Sequence, residues 1–134
     1  MSEILSRKIF LWILLFLYSA LIFVFSSRTT VGVTQYFLGQ DKVIHFIIYG
    51  IHSVLCLLVL SERVLRLKFA QYFYALVFSE FYGIFNEAYQ FFIPERNYSF
   101  GDVLANSFGI VTFLVLAFIF QNKKRKIVNK SAWH

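Results

Sequence analysis

The chain has 134 residues and a formal net charge of +6; 59% of its residues are hydrophobic, 21% aromatic and only 15% charged. Soluble domains carry about 25% charged residues and roughly 45–50% apolar ones, and a domain this small has too little interior to hide 18 Phe. An ordinary soluble domain and a disordered chain are therefore excluded, and the single cysteine, Cys56, excludes a disulfide scaffold.

Four stretches are long and apolar enough to cross a bilayer, which takes about 17–25 helical residues. The first covers residues 9–26 and contains no charge. Its apolar run exceeds that of a signal peptide and no A-x-A-like cleavage site follows, so it reads as a retained anchor. The second covers 43–60 and is interrupted by His45 and His52. The third covers 69–93, with Glu80 and Glu87 inside it and Pro94 ending it. The fourth covers 103–120 and is polar only near its start, where Asp102 is placed to cap the helix. No stretch alternates apolar and polar residues with period two, which argues against strands. The fold expected is all-α: one domain over residues 1–134, an integral membrane bundle of four transmembrane helices.

Charge sets the expected orientation. Arg7, Lys8, Arg63, Arg66, Lys68, Lys123, Lys124, Arg125, Lys126 and Lys130 fall on one side, against only Arg28, Lys42 and Arg96 on the other. By the positive-inside rule the richer side is cytoplasmic, so both termini are expected inside. The cationic tail also suits anionic lipid. The net charge is thereby accounted for by membrane topology, and no nucleic-acid partner is expected.

Polar residues gather at the outer ends of the last three spans: Asp41, Lys42, His45, Tyr49, Glu87, Gln90, Arg96, Asp102 and Asn106. Asp41, His45 and Tyr49 are four apart and share one helix face; Glu87 and Gln90 are three apart on the next; Asp102 and Asn106 are four apart on the last. A polar stripe facing lipid is costly, so the three stripes are expected to face one another and form one outward-opening pocket. Gly83 and Gly109 would let the helices approach there.

These motifs resemble the VanZ-like family of bacterial membrane proteins. The matching pieces are Asp41-Lys42-x-x-His45-Phe46-x-x-Tyr49, then Tyr82-Gly83-x-x-x-Glu87-x-x-Gln90-x-Phe92-x-Pro94-x-Arg96, then Asp102-x-x-x-Asn106-x-x-Gly109. They cover about half the chain. The family often carries a second small residue four after the last glycine, where this chain has Phe113. The resemblance implies a four-helix domain in the bacterial cytoplasmic membrane and the family's association with resistance to the glycopeptide teicoplanin. It delivers no reaction mechanism.

The functional reading is a pocket for a cell-envelope or glycopeptide-related ligand, such as a lipid-linked head group, with membrane lipids around it. Arg96 would contact an anion through its planar fork. His45 would carry a proton, oriented by Asp41 or Glu87, and a desolvated Glu87 suits a general acid. Enzymatic action on a lipid head group and a purely structural scaffold for membrane partners are the alternatives. Asp41, His45, Glu87 and Asp102 also offer one nitrogen and three carboxylates to a metal, but Lys42 and Arg96 oppose a cation; neither a metal nor a cofactor is assigned. His52 reads as a hydrogen-bonded core histidine. Glu80, about 10 Å deeper than Glu87, is either a protonated acid bonded to a neighbouring helix or a functional group. Trp12, Tyr36, Tyr72 and Trp133 read as interfacial anchors.

Overall fold

A computed structural model describes residues 2–27, 38–61, 67–93 and 99–131. Among the described residues the only regular elements are four helices: α1 Ser2–Ser26, α2 Gln40–Leu60, α3 Phe69–Gln90 and α4 Phe100–Ser131. They alternate in direction. Ser26 meets Gln90 and Lys42 meets Asp102 at one end; Gln71 reaches the Leu60 carbonyl and Tyr72 reaches Gln121 at the other. The most extensive contact is between α2 and α4, with α3 packed on both and α1 lying mainly along α2.

Small residues explain why α2 and α4 come so close. A Cβ on Gly109 would collide with the backbone carbonyl of Phe46, so the two backbones touch. One turn further along α4, the Phe113 ring fills the space where a Cβ on Gly50 would stand, and it meets Phe46 edge-on at 5.9 Å between centroids. The large residue at position 113 is thus matched by a glycine on the opposing helix, and packing is close there.

The interior is unusually polar. Ser53, Ser79, Asn86, Glu87 and Asn106 are almost completely buried, while Phe16, Phe78, Phe81 and Phe108 point outward. In water such an apolar exterior would drive aggregation; in lipid it is the solvated surface. α1, α2 and α4 are each long and apolar enough to cross a membrane, so the chain is an integral membrane protein. α3 does not join them on length and composition. Its Tyr72, Tyr74, Tyr82 and Tyr89, together with Glu80, Asn86 and Glu87, dilute its apolar character.

Three sequence expectations are corrected. Helix α3 ends at Gln90, and Phe91 and Phe92 form a turn, so the helical part of the third stretch stops short of residue 93. Asp102 does not cap α4: the helix begins at Phe100, and the Ser99 hydroxyl accepts the Asp102 N–H at 3.3 Å instead. Tyr72 is no lipid-facing anchor, being buried with its hydroxyl donating to Gln121 Oε1 at 2.6 Å. Trp12 is exposed on α1 as an anchor would be; Tyr36 and Trp133 lie outside the described residues.

Candidate functional site: a polar pocket between the helices

The polar stripes of α2, α3 and α4 converge at one end of the bundle. Gly39, in the left-handed region at φ 83°, turns the chain into α2. Asp41, His45 and Tyr49 then follow one another along one face. His45 stacks over Tyr49 with ring centroids 6.2 Å apart and an interplanar angle of 11°, and Tyr49 beneath it is buried. Glu87 and Gln90 enter from the last turn of α3. Asp102 and Asn106 enter from the first turns of α4.

At the rim, Lys42 Nζ bridges two carboxylates, Asp41 Oδ2 at 2.8 Å and Asp102 Oδ1 at 3.1 Å. This ties the start of α2 to the start of α4. With the lysine and Asp41 side chains both more than 40% exposed, the bridge contributes little net stability. Below it His45 is surrounded by oxygens. Its Nδ1 lies 3.0 Å from Asn106 Oδ1 and 3.5 Å from Glu87 Oε1, and its Nε2 lies 3.8 Å from Asp102 Oδ2. Glu87 is completely buried, and Gln90 Nε2 donates to its Oε1 at 3.4 Å and to Ser26 Oγ at 2.9 Å. Gln90 thereby links the site to α1.

A cavity of about 570 Å³ opens beside this cluster, between α1 and α2. One part of its wall is apolar, with Leu21, Ile22 and Phe25 from α1 and Ile44 and Ile48 from α2. The other part is polar, with Gln40, Asp41, His45, Gln90 and Asp102. Tyr18 on the same wall donates its hydroxyl to the Ile48 carbonyl at 3.1 Å, holding α1 against α2.

Most of the sequence-derived set is brought together. Asp41, Lys42 and Asp102 form the rim, His45 with Asn106 and Glu87 the floor, and Gln90 the α1 link. Two details differ from expectation. Asp41 pairs with Lys42 and leaves the orientation of His45 to Glu87 and Asn106. Glu87 stands behind His45, completely buried, and is not part of the cavity wall. Arg96 lies outside the described residues. The contributions of Ser26, Gln40 and α1 as a wall are new. Ser26 ends the first span at the same membrane face, which was the available signal. Asn86 is also new: it is fully buried, with Nδ2 donating to the Tyr82 carbonyl at 2.9 Å, and its neighbour Glu87 drew attention away from it.

A second polar network lies deeper. His52 Nε2 is 3.1 Å from Ser19 Oγ, and its Nδ1 is 3.1 Å from Ser79 Oγ. Ser19 gives its own hydroxyl proton to the Leu15 carbonyl at 2.8 Å, so it accepts from Nε2–H, and Ser79 donates to Nδ1. The ring stacks on Tyr82 at 4.9 Å. His52 is thus a satisfied core histidine joining α1, α2 and α3. Glu80 accepts a hydrogen bond from Ser107 Oγ at 2.8 Å, a link from α3 to α4.

No protein-family model, curated protein or solved structure matches the chain. What the fold and the cluster define is a helical integral membrane protein with a polar side-chain cluster beside a largely apolar cavity at one end of its bundle.

Proposed function

We propose that this chain is a VanZ-like protein of the bacterial cytoplasmic membrane with four spans and both termini inside. Its pocket, at the outer face, takes the head and adjoining chain of a lipid-linked cell-envelope ligand. The observation that carries this reading is the two-sided character of the cavity. An amphiphile needs an apolar wall beside a polar head site at one depth, and the cavity has the residues for both. The apolar wall belongs partly to α1, the least embraced helix, whose other side carries lipid-exposed Phe16 and Leu17. Arg96 is the anion contact expected from the sequence. The family's link to glycopeptide resistance is the corresponding cellular role.

Native mass spectrometry of the purified chain with undecaprenyl-linked lipids and with ordinary phospholipids tests the ligand class. Retention of the undecaprenyl-linked species, lost in Arg96→Lys and in the cavity-filling changes Leu21→Trp and Ile44→Trp, is the expected result. Equal retention of every lipid, insensitive to these changes, refutes it.

One observation favours an enzymatic version of the same site. His45 is on the cavity wall and the buried Glu87 stands behind its Nδ1, the arrangement of a proton-transfer group with an orienting carboxylate. In that case product forms from the bound lipid. Glu87→Gln then slows turnover by about 10²–10⁴, the usual weight of general acid–base catalysis, with affinity little changed. Bound lipid without product removes the enzymatic version and leaves recognition.

A further inference from the structure

We infer that His45, Glu87 and Asp102 form a binding site for one divalent transition-metal ion, zinc being the best fit. Each residue comes from a different helix, and one ligand atom from each lies within 4.8 Å of the others. Around zinc, with bonds of about 2.0–2.2 Å, tetrahedral ligand atoms stand about 3.5 Å apart. Side-chain torsions cover the remaining distance. An imidazole with two carboxylates selects zinc-class ions over magnesium and calcium, which prefer all-oxygen sites.

The surroundings of His45 supply an independent reason for a cation. A neutral imidazole has one N–H to donate. Here both ring nitrogens face carboxylate oxygens, Glu87 Oε1 at Nδ1 and Asp102 Oδ2 at Nε2. Turning over the Asn106 amide does not alter this. A neutral ring would turn one lone pair toward an anion, an arrangement that a second ring proton or a bound metal ion resolves. Asn106, almost fully buried, has its Oδ1 at 3.0 Å from Nδ1 and is the positioning group that fixes the ring, as the outer partners of metal-bound histidines do.

On sequence grounds Lys42 opposes a cation here. In the structure its ammonium is engaged by Asp41 and by Oδ1 of Asp102, leaving Oδ2, the oxygen that faces His45, for the ion. His45 and Asp102 are also on the cavity wall. Three protein ligands leave a fourth position open to the cavity, where water or an anionic oxygen binds. The ion site shares residues with the lipid reading but does not rest on it.

The test uses the full chain in detergent micelles, stripped with chelator and titrated with Co²⁺ alone, then with Zn²⁺ as competitor. Expected are one equivalent of Co²⁺ with visible ligand-field absorption, displacement by Zn²⁺, and loss of the signal in His45→Ala and Asp102→Asn. Asn106→Ala should weaken binding about 10–100-fold, the usual effect of removing an outer partner, and Glu80→Gln should leave it unchanged. Because Cys56 is buried, its unreactivity toward a maleimide shows that a variant has folded. The inference is overturned if the parent protein takes up no stoichiometric Co²⁺ or Zn²⁺, a result independent of any variant. It is equally overturned if folded His45→Ala binds as tightly as the parent. Lipid retention with no metal binding would sink the ion site alone; metal binding with no lipid selectivity would sink the lipid reading alone.

Discussion

Replacing Gly109 with alanine adds a single methyl group where α2 and α4 touch. The new Cβ would overlap the Phe46 carbonyl oxygen and crowd the Phe46 Cα, at 2.9 Å. Overpacking in a core costs about 1–3 kcal/mol when side chains can yield. Here the obstacle is backbone in the middle of a helix, so the helices themselves must part, and the loss should reach about 3 kcal/mol or more. For a domain of this size each kcal/mol moves the midpoint by about 3–6 °C, which gives a fall of about 9–18 °C. Cys56 is the only cysteine and is buried, so a fluorogenic maleimide reports its exposure on heating in detergent. Gly101→Ala is the internal comparison: its Cβ crowds a half-exposed lysine side chain, Lys42 Cε at 2.9 Å, which can shift, and stands in ordinary contact with Ser99 Oγ at 3.5 Å, so the midpoint should move by no more than about 2 °C. A Gly109→Ala protein that melts within 2 °C or so of the parent would refute the close α2–α4 approach.

Tyr72→Phe removes the hydroxyl that donates to Gln121 and leaves a buried acceptor with less than its due. It should cost about 1–3 kcal/mol in the same melting experiment without changing lipid or metal binding at the far end of the bundle. If both termini are inside, as proposed, a membrane-impermeant thiol reagent applied to intact cells should label Ser99→Cys and fail to label Lys126→Cys. Labelling of the second position would turn the pocket toward the cytoplasm and end the cell-envelope reading. Ser79→Ala withdraws the donor from His52 Nδ1 and should lower the melting midpoint while sparing both ligands, since His52 belongs to the bundle and not to the pocket.

Much of the site was legible from spacing because its residues sit at helical intervals on three faces. Asp41/His45/Tyr49, Glu87/Gln90 and Asp102/Asn106 each announce a stripe, and polar stripes in an apolar chain must meet. Spacing within a helix does not say how three helices rotate against one another. That is why Asp41 was as good a candidate for orienting His45 as Glu87, and why the burial of Glu87 behind the histidine was invisible. The first span has no polar stripe, so its part as a cavity wall could not be read. Tyr72 and Gln121 are 49 positions apart, and nothing local marks them as partners. The same holds for Phe113, whose counterpart is a glycine on another helix.

The dilute apolar character of α3 bears on how the protein is made. On the four-span reading, α1, α2 and α4 can each leave the insertion machinery for lipid unaided. A helix carrying Glu80, Asn86 and Glu87 has no comparable incentive to partition alone. Ser107, which donates to Glu80, and Asn106, which packs beside Gly83, belong to α4, which emerges after α3. α3 would therefore wait at the translocation site, or beside α2, until α4 arrives and the polar faces close together. A chain truncated before α4 would keep those side chains unshielded in the bilayer. It would be recognisable to membrane quality control by that fault, without any misfolded loop or exposed terminus.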